Sequence, residues 1–442
     1  MVMMRIFLLS FFSLWAVCAH SQTILTLKEC LEMGIENNLS LEGRRKVIQK
    51  SRYGVSENRA RLLPQINGFA NYNNNFDPPV SVTDGSSYGT PYNVTHTLQH
   101  NSNAGVQLQL PLYNQTIYTS ISIAKTVEEI GLLSYEKARE DLIVQISKMY
   151  YLGQATVEQI VLIKSNIVRL EELRNIAMAF YDNGMAMEVD IKRVNINLEN
   201  LQVQYDNLQA ILEQQLNMLK YIIDYPADEQ ISLIHVNTDD ITSVSLTGLP
   251  ENLYETRLLS SQKQLAEQQK SMIKSNYIPS LSLTGNWMYS AYTDKFKNWF
   301  HSGPSNHWYR SYGLGLSLRI PIFDGLEKKQ KTRQIRMDIE KISLEQEDLR
   351  KHLNTQYLNA QNDMMNNLRN FKRQKDNYRM AEDVYAVTTE LYREGIASMI
   401  EVLQDEMQMV EAQNNYINAH YNYQVANLAL LKLTGQINTL VE

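Results

Sequence analysis

Two cysteines, ten prolines and 18 glycines in 442 residues leave no room for a disulfide framework and few breaks in the chain. Long tracts without proline or glycine favour extended helix over a compact, loop-rich fold. There is no cationic excess either. The formal charge is −6, with acids and bases interspersed, which excludes the clustered basic stripe that a nucleic-acid partner needs. Beyond the amino terminus no apolar run reaches the roughly 18 to 20 residues of a spanning helix, so any membrane crossing has to use strands.

What is present begins with a leader. Arg5 precedes an apolar stretch from Ile6 to Ala19, and Ala19-His20-Ser21 supplies small residues where a signal peptidase reads them. An export signal is expected over 1–21. Acylation of Cys18 is the lesser alternative, because Trp15-Ala16-Val17 lacks the usual small residue beside the cysteine. After cleavage Cys30 stands alone, so the exported chain is held by packing.

The remaining chain is written twice. Arg61-Leu62-Leu63-Pro64 is matched by Asn276-Tyr277-Ile278-Pro279 at an offset of 215, and Leu108-Gln109-Leu110-Pro111 by Leu318-Arg319-Ile320-Pro321 at 210. Tyr181-Asp182-Asn183-Gly184 pairs with Tyr392-Arg393-Glu394-Gly395 at 211. Three matches in one order at a nearly constant offset define repeats at 22–225 and 250–442, joined by a connector at 226–249. Each repeat reads as a helix, two strands and two long helices.

The first helix opens on a capping box, Thr26-Leu27-Lys28-Glu29, and is expected to run to about Leu63, where Pro64 stops it. The second repeat opens near Pro250-Glu251, a proline suited to a first helical turn. Strands follow with period two. Ala104, Val106, Leu108 and Leu110 alternate with polar residues, as do Leu281, Leu283, Gly285, Trp287 and Tyr289, and then Tyr312, Leu314, Leu316, Leu318 and Ile320. Ile66, Gly68, Ala70 and Tyr72 alternate less cleanly. Such strands, with aromatic ends, suit a lipid-facing barrel at least as well as a half-buried soluble sheet. From Asp324 to Glu394 there is no proline, and a helix of that length reaches on the order of 100 Å. Val402, Met409, Tyr416, Tyr423 and Leu430 recur every seven residues, as do Ile191, Leu198, Tyr205, Leu212 and Leu219, so each repeat ends in a supercoiled antiparallel hairpin.

Four strands cannot close a barrel, and unpaired edges in lipid cost several kcal/mol per backbone group. Twelve strands from three copies would leave a lumen, which makes a homotrimer the simplest assembly. The expected fold class is an α+β membrane protein, with long helical hairpins forming an α-barrel and four strands per protomer contributing to a trimeric twelve-stranded β-barrel.

The opening Thr26-Leu27-Lys28-Glu29-Cys30-Leu31 with Glu36-Asn37-Asn38, the paired Leu-Pro and Ile-Pro strand borders and the two Tyr-x-x-Gly turns resemble the TolC outer-membrane channel family over the whole mature chain. The resemblance implies an outer-membrane conduit extending into the periplasm, met at its tip by a periplasmic adaptor joined to an inner-membrane transporter. It implies no enzyme, cofactor or resident metal. The alternative is a periplasmic adaptor or structural coiled-coil protein, which would ordinarily carry one hairpin between β domains.

By the same resemblance the adaptor docks beside the turn glycines, at Gly184-Met185-Ala186-Met187 and Gly395-Ile396-Ala397-Ser398. An acidic aperture is implied at Glu401 and Gln404; here Gln404 is neutral and Asp405 adjoins it, while Asp190 lies six residues beyond its own turn glycine, as Glu401 does. A solvated helix face reads equally well. Met185 and Met187 have the softness to hold a soft metal, although methionine at these spacings is commoner as packing. His96 and His100 are placed in a loop, since strand spacing would hold them roughly 13 Å apart.

Overall fold

The computed structural model describes residues 23–84, 89, 91–96, 98–234, 248–300 and 308–441. The leader over 1–21 and most of the connector lie outside the described residues. In chain order the elements are β1 (Thr23–Leu25), α1 (Leu27–Asn37), α2 (Leu39–Ala60), β2 (Gln65–Asn74), β3 (Val80–Asp84), β4 (Tyr92–His96), β5 (His100–Tyr113), α3 (Gln115–Asp182) and α4 (Glu188–Ile223). Then come β6 (Ile231–Leu233), α5 (Tyr254–Ser275), β7 (Ser280–Thr293), β8 (Trp308–Arg319), α6 (Glu327–Arg393) and α7 (Met399–Leu433).

Several boundaries differ from the sequence reading, each through a local hydrogen bond. The capping box at Thr26 forms, with Glu29 accepting from the Thr26 backbone at 2.7 Å and the Thr26 hydroxyl accepting from Glu29 N–H at 3.1 Å. The helix it starts does not run on to Leu63. It stops at Asn37, and Asn38 caps a second helix by accepting from the N–H groups of Ser40 and Leu41 at 3.0 and 3.2 Å. In the second repeat Pro250 opens a turn and not a helix: the Thr256 hydroxyl donates toward the Glu251 and Leu253 carbonyls, and α5 begins at Tyr254. Asp324 likewise lies ahead of α6, where its carboxylate accepts from the Leu326 and Lys328 N–H groups.

Two compact units are built from non-contiguous segments, and each draws on both repeats. One comprises Val47–Leu132 and Leu258–Glu345 and holds a four-stranded antiparallel sheet in the order β2-β5-β7-β8. Register aligns the apolar positions into rows, such as Ile66, Leu108, Gly285 and Leu314, then Gly68, Val106, Trp287 and Tyr312. Because successive side chains alternate, that register puts every apolar row on one face and the polar rows on the other. On the polar face Asn71 bonds Asn103 and Asn73 bonds Asn101. The apolar face is open: Leu314, Leu316 and Leu318 are 80 %, 69 % and 60 % exposed. β2 and β8 are free edges. Among the described residues no helix is long and apolar enough to cross a membrane.

A further hairpin, β3–β4, interrupts the first repeat where only two strands were expected. His96 ends β4 and His100 opens β5, so neither backbone is in a loop. The His100 ring is buried, sharing a 2.9 Å hydrogen bond through Nδ1 with the Tyr72 hydroxyl and packing edge-on to Phe296. That aromatic packing, invisible as a local motif, pulls the histidine into the strand.

The other unit comprises the segment up to Lys46, Leu133–Arg257 and Gln346–Glu442. Its β1 pairs in parallel with β6, and around them Cys30, Leu31, Ile143, Ile146, Ile223 and Leu428 form a buried cluster. Burial pushes the Cys30 thiol up to about 12, which makes it an inert packing group. A second cluster joins Leu170, Leu173, Val194, Tyr385, Val402 and Met409, and a third joins Met364, Phe371, Tyr416, Tyr423 and Leu430. The seven-residue row of α7 is therefore its packing seam. In α4 the buried row near the turn falls three residues away from the expected one, with Val194 and Leu201 buried while Ile191, Leu198 and Tyr205 are half-buried; toward the far end Leu219 of the expected row is buried.

Candidate functional site: the paired hairpin turns

α3 and α6 run 68 and 67 residues and end in the same device. Gly184 at φ 74° and Gly395 at φ 75° take the left-handed conformation that lets a helix stop without a side-chain clash. At the first turn Gly184 N–H donates to the Tyr181 carbonyl at 2.9 Å and Met185 N–H to that of Phe180 at 2.8 Å. At the second, Gly395 N–H donates to Tyr392 and Ile396 N–H to Leu391, both at 2.9 Å. The Phe180 and Tyr392 rings, centroids 5.5 Å apart, pack between the two helix ends.

The starts of the returning helices differ. Ser398 caps α7 in a full capping box with Glu401, whose carboxylate accepts from Ser398 N–H at 2.7 Å. Those bonds hold the Glu401 carboxyl below the ordinary range, the backbone donor contributing most. Met187 has no oxygen to cap α4; the Asp190 carboxylate accepts from Met187 N–H at 3.4 Å and pairs with Arg193 at 3.1 Å. Arg193 was not picked out from sequence, although its i,i+3 spacing from Asp190 is the available signal. Gln404 is exposed and Asp405 half-buried.

Between the turns lies a groove of about 500 Å³, lined among others by Met185, Met187, Asp190, Arg193, Gly395 and Ile400. Ala186, Ala397 and Ser398 border it too. Met185, Met187 and Ile396 are 68 %, 66 % and 73 % exposed, so the turns present bare apolar side chains around a mixed-charge rim. Such a surface suits contact with protein. Among the described residues there is no cluster of three or more His, Cys, Asp or Glu that could hold a metal.

An antiparallel sheet with an exposed apolar face, in a chain that also carries paired helices of coiled-coil length, defines a class of protein: a strand-and-hairpin fold with a lipid-compatible sheet. The chain belongs to the outer membrane efflux protein family, whose profile it matches over residues 31–223 and 258–436. It is 22 % identical over 404 residues to the outer membrane protein TolC of Vibrio cholerae, spanning 88 % of this chain and 85 % of the relative. In structure it is similar to the outer membrane protein VceC of Vibrio cholerae, with a TM-score of 0.72, 14 % identity and coverage of 92 % and 96 % of the two chains. The MtrE outer membrane channel of Neisseria gonorrhoeae gives 0.70 at 18 % identity, covering 92 % and 88 %. The protein is thus an outer-membrane efflux channel that extends into the periplasm, of a family of channels and not of enzymes. Its family sets it apart from the periplasmic adaptors.

Proposed function

We propose that three copies join edge to edge, β8 of one against β2 of the next, into a twelve-stranded barrel that conducts efflux substrates passively from the periplasm to the exterior. The observation that carries this reading is the pair of edges left unpaired among the described residues, on a sheet whose one face is apolar and exposed except for Ser102 and Arg310 near one end, since lipid leaves no other partner for those backbone groups. The helices point the same way. On α4, Val189, Ile196 and Val203 stand seven residues apart and exposed; on α6, Leu358 and Met365, then Met380 and Val387, do the same. Seven-residue apolar rows without a partner in their own chain are what a neighbouring copy would cover.

The groove between Gly184-Met185-Ala186-Met187 and Gly395-Ile396-Ala397-Ser398 is then the docking point for a periplasmic adaptor, itself joined to an inner-membrane transporter. Asp190, Glu401 and Asp405, in three copies, form the acidic aperture, with neutral Gln404 diluting it.

The test is mass measurement of the mature protein in detergent followed by conductance in planar bilayers. A trimer with stepwise conductance is expected. Ile196→Asp with Val203→Asp is expected to yield protomers, and Ile396→Asp to keep trimer and conductance while losing co-purification of an adaptor from membranes. A monomeric wild type sinks the barrel; an adaptor retained by Ile396→Asp moves the docking point elsewhere.

A further inference from the structure

The four strand–helix junctions of the sheet-bearing unit meet at one end of the sheet, where β2 and β7 start and β5 and β8 finish. Exposed apolar side chains crowd there: Leu63, Tyr113, Ile278, Ile322, Phe323 and Leu326, with Ile322 94 % and Phe323 80 % exposed. Beside them α6 opens with five cations, Lys328, Lys329, Lys331, Arg333 and Arg336, against one acid, Glu327, in a chain whose formal charge is −6. The corresponding opening of α3, from Gln115, carries no cation over the same length, with Lys125 just beyond it. The repeat therefore folds without such a cluster.

Cations at a helix amino terminus oppose the helix dipole, so this cluster works against the stability of α6 unless an anion lies beside it. Within the chain Asp324, whose carboxylate accepts from the Leu326 and Lys328 N–H groups, and Glu327 supply that anion to Lys328 and Lys331 but not to the other three cations. Lys328 is engaged, pairing with Asp324 at 3.7 Å and donating to the Asn276 carbonyl at 3.0 Å with its ammonium 4.5 Å from the centre of the Tyr277 ring, and Lys331 pairs with Glu327. Lys329 and Arg336 form no ion pair among the described residues, and Arg333 makes only a 3.4 Å bond to Gln330. These three are exposed and fall at i, i+4 and i+7, on one face of the helix.

We propose that this collar binds anionic phospholipid of the periplasmic leaflet, with Lys329, Arg333 and Arg336 holding the phosphate headgroup and the exposed Ile322, Phe323 and Leu326 side chains meeting the acyl boundary. Charge complementarity and position both select lipid as the occupant. The inference rests on the barrel reading proposed above, in which the sheet lies in the outer membrane and the strand–helix junctions meet the inner headgroup layer. Apolar residues next to a row of cations match a surface that turns from hydrocarbon to phosphate within a few ångströms.

The experiment is native mass spectrometry of the full mature assembly in dodecyl maltoside, titrated with phosphatidylglycerol, with phosphatidylcholine, or with sodium phosphate. Phosphatidylglycerol is expected to bind roughly tenfold or more tightly than phosphatidylcholine, and Lys329→Gln/Arg333→Gln/Arg336→Gln to erase that preference. Because the triple variant removes charges that oppose the helix dipole, its assembly should survive unaltered. Should it nonetheless fail to assemble, the wild type alone decides: its preference should fall as KCl is raised from low to high concentration. Equal affinity for both lipids, a preference indifferent to salt, full retention in the triple variant, or occupation of the site by phosphate alone each overturns the proposal. Conductance of the same preparation in phosphatidylcholine bilayers reports on the channel independently, so a failed lipid test leaves that reading intact.

Discussion

α4 and α7 occupy equivalent places in the two repeats, each following a left-handed glycine turn, and they run 36 and 35 residues. Their burial differs. In α7 the row Val402, Met409, Tyr416, Tyr423 and Leu430 is buried throughout, whereas in α4 the matching row is half-buried until Leu219. A second row separates them further. Glu406, Gln413, His420 and Asn427 also recur every seven residues on α7, and Glu406, Gln413 and Asn427 are no more than 8 % exposed; their counterparts in α4 include Asn195, Gln202 and Gln209, all exposed. The two helices thus match in length and differ in surroundings: α7 buries its heptad seam and its polar row inside its own chain, while α4 leaves an apolar row exposed.

The largest expected difference between the two helices lies in their aromatic and aliphatic seams. Tyr423 is 2 % exposed and stacks on Phe371 at 6.1 Å, so Tyr423→Ala is expected to cost about 3–5 kcal/mol through the cavity it leaves. Leu212, its counterpart, is only half-buried, and Leu212→Ala should cost about 1 kcal/mol. Equilibrium unfolding in detergent compares them. Equal losses would show that α4 is as enclosed as α7.

A smaller difference comes from the polar row. Burial pushes the Glu406 carboxyl up to about 7, partly opposed by Arg169, yet among the described residues the buried Glu406 Oε1 and Arg169 Nε have no hydrogen-bond partner. Unfolded, the same carboxyl titrates near 4.5. Between those values the folded protein holds a proton that the unfolded chain has released, so stability is full below about 4.5 and falls as pH rises toward 7. Glu406→Gln removes that slope. Its stability relative to wild type should grow by up to about 3 kcal/mol between pH 4.5 and 7, read from unfolding midpoints across that window. Asn195→Asp in α4 should show no comparable slope, because that position is in water. A flat difference for Glu406→Gln would place its carboxylate in a solvated or well-paired site.

The duplication explains how much could be read from sequence. Period two and period seven are local signals, and both survive: the apolar rows of β5, β7 and β8 and the α7 seam lie where alternation and heptads put them. Boundaries fared worse, because they were settled by single side chains such as Asn38 and Thr256 whose partners are not written in a period. The turns were legible from Tyr-x-x-Gly, but the Asp190–Arg193 pair and the burial of Glu406 were not. A polar residue every seventh position reads as a solvated face from one helix alone. Only the helices packed against α7 turn it into an interior row, as when Gln413 meets Asn166 of α3 at 2.8 Å. The order of elements was legible because the repeat made it visible.

The smallest difference is at the first turn of each returning helix. Ser398 satisfies the Glu401 N–H of α7 with its hydroxyl while Glu401 returns a bond to Ser398 N–H, so two otherwise free donors are met. At α4 the Met187 thioether offers no such acceptor, and Asp190 bonds the cap backbone alone at 3.4 Å. Ser398→Ala should therefore destabilise the second hairpin by about 1 kcal/mol, and Met187→Ser should stabilise the first by a similar or smaller amount. Hydrogen exchange at the first amides of α7 and α4 reads these changes locally, since each turn can open without unfolding the whole. Faster exchange confined to α7 in the first variant and slower exchange confined to α4 in the second are expected. If Met187→Ser left exchange in α4 unchanged, Asp190 and Arg193 would already hold that turn as firmly as the full box holds its twin, and the two ends would be alike in stability despite their different chemistry.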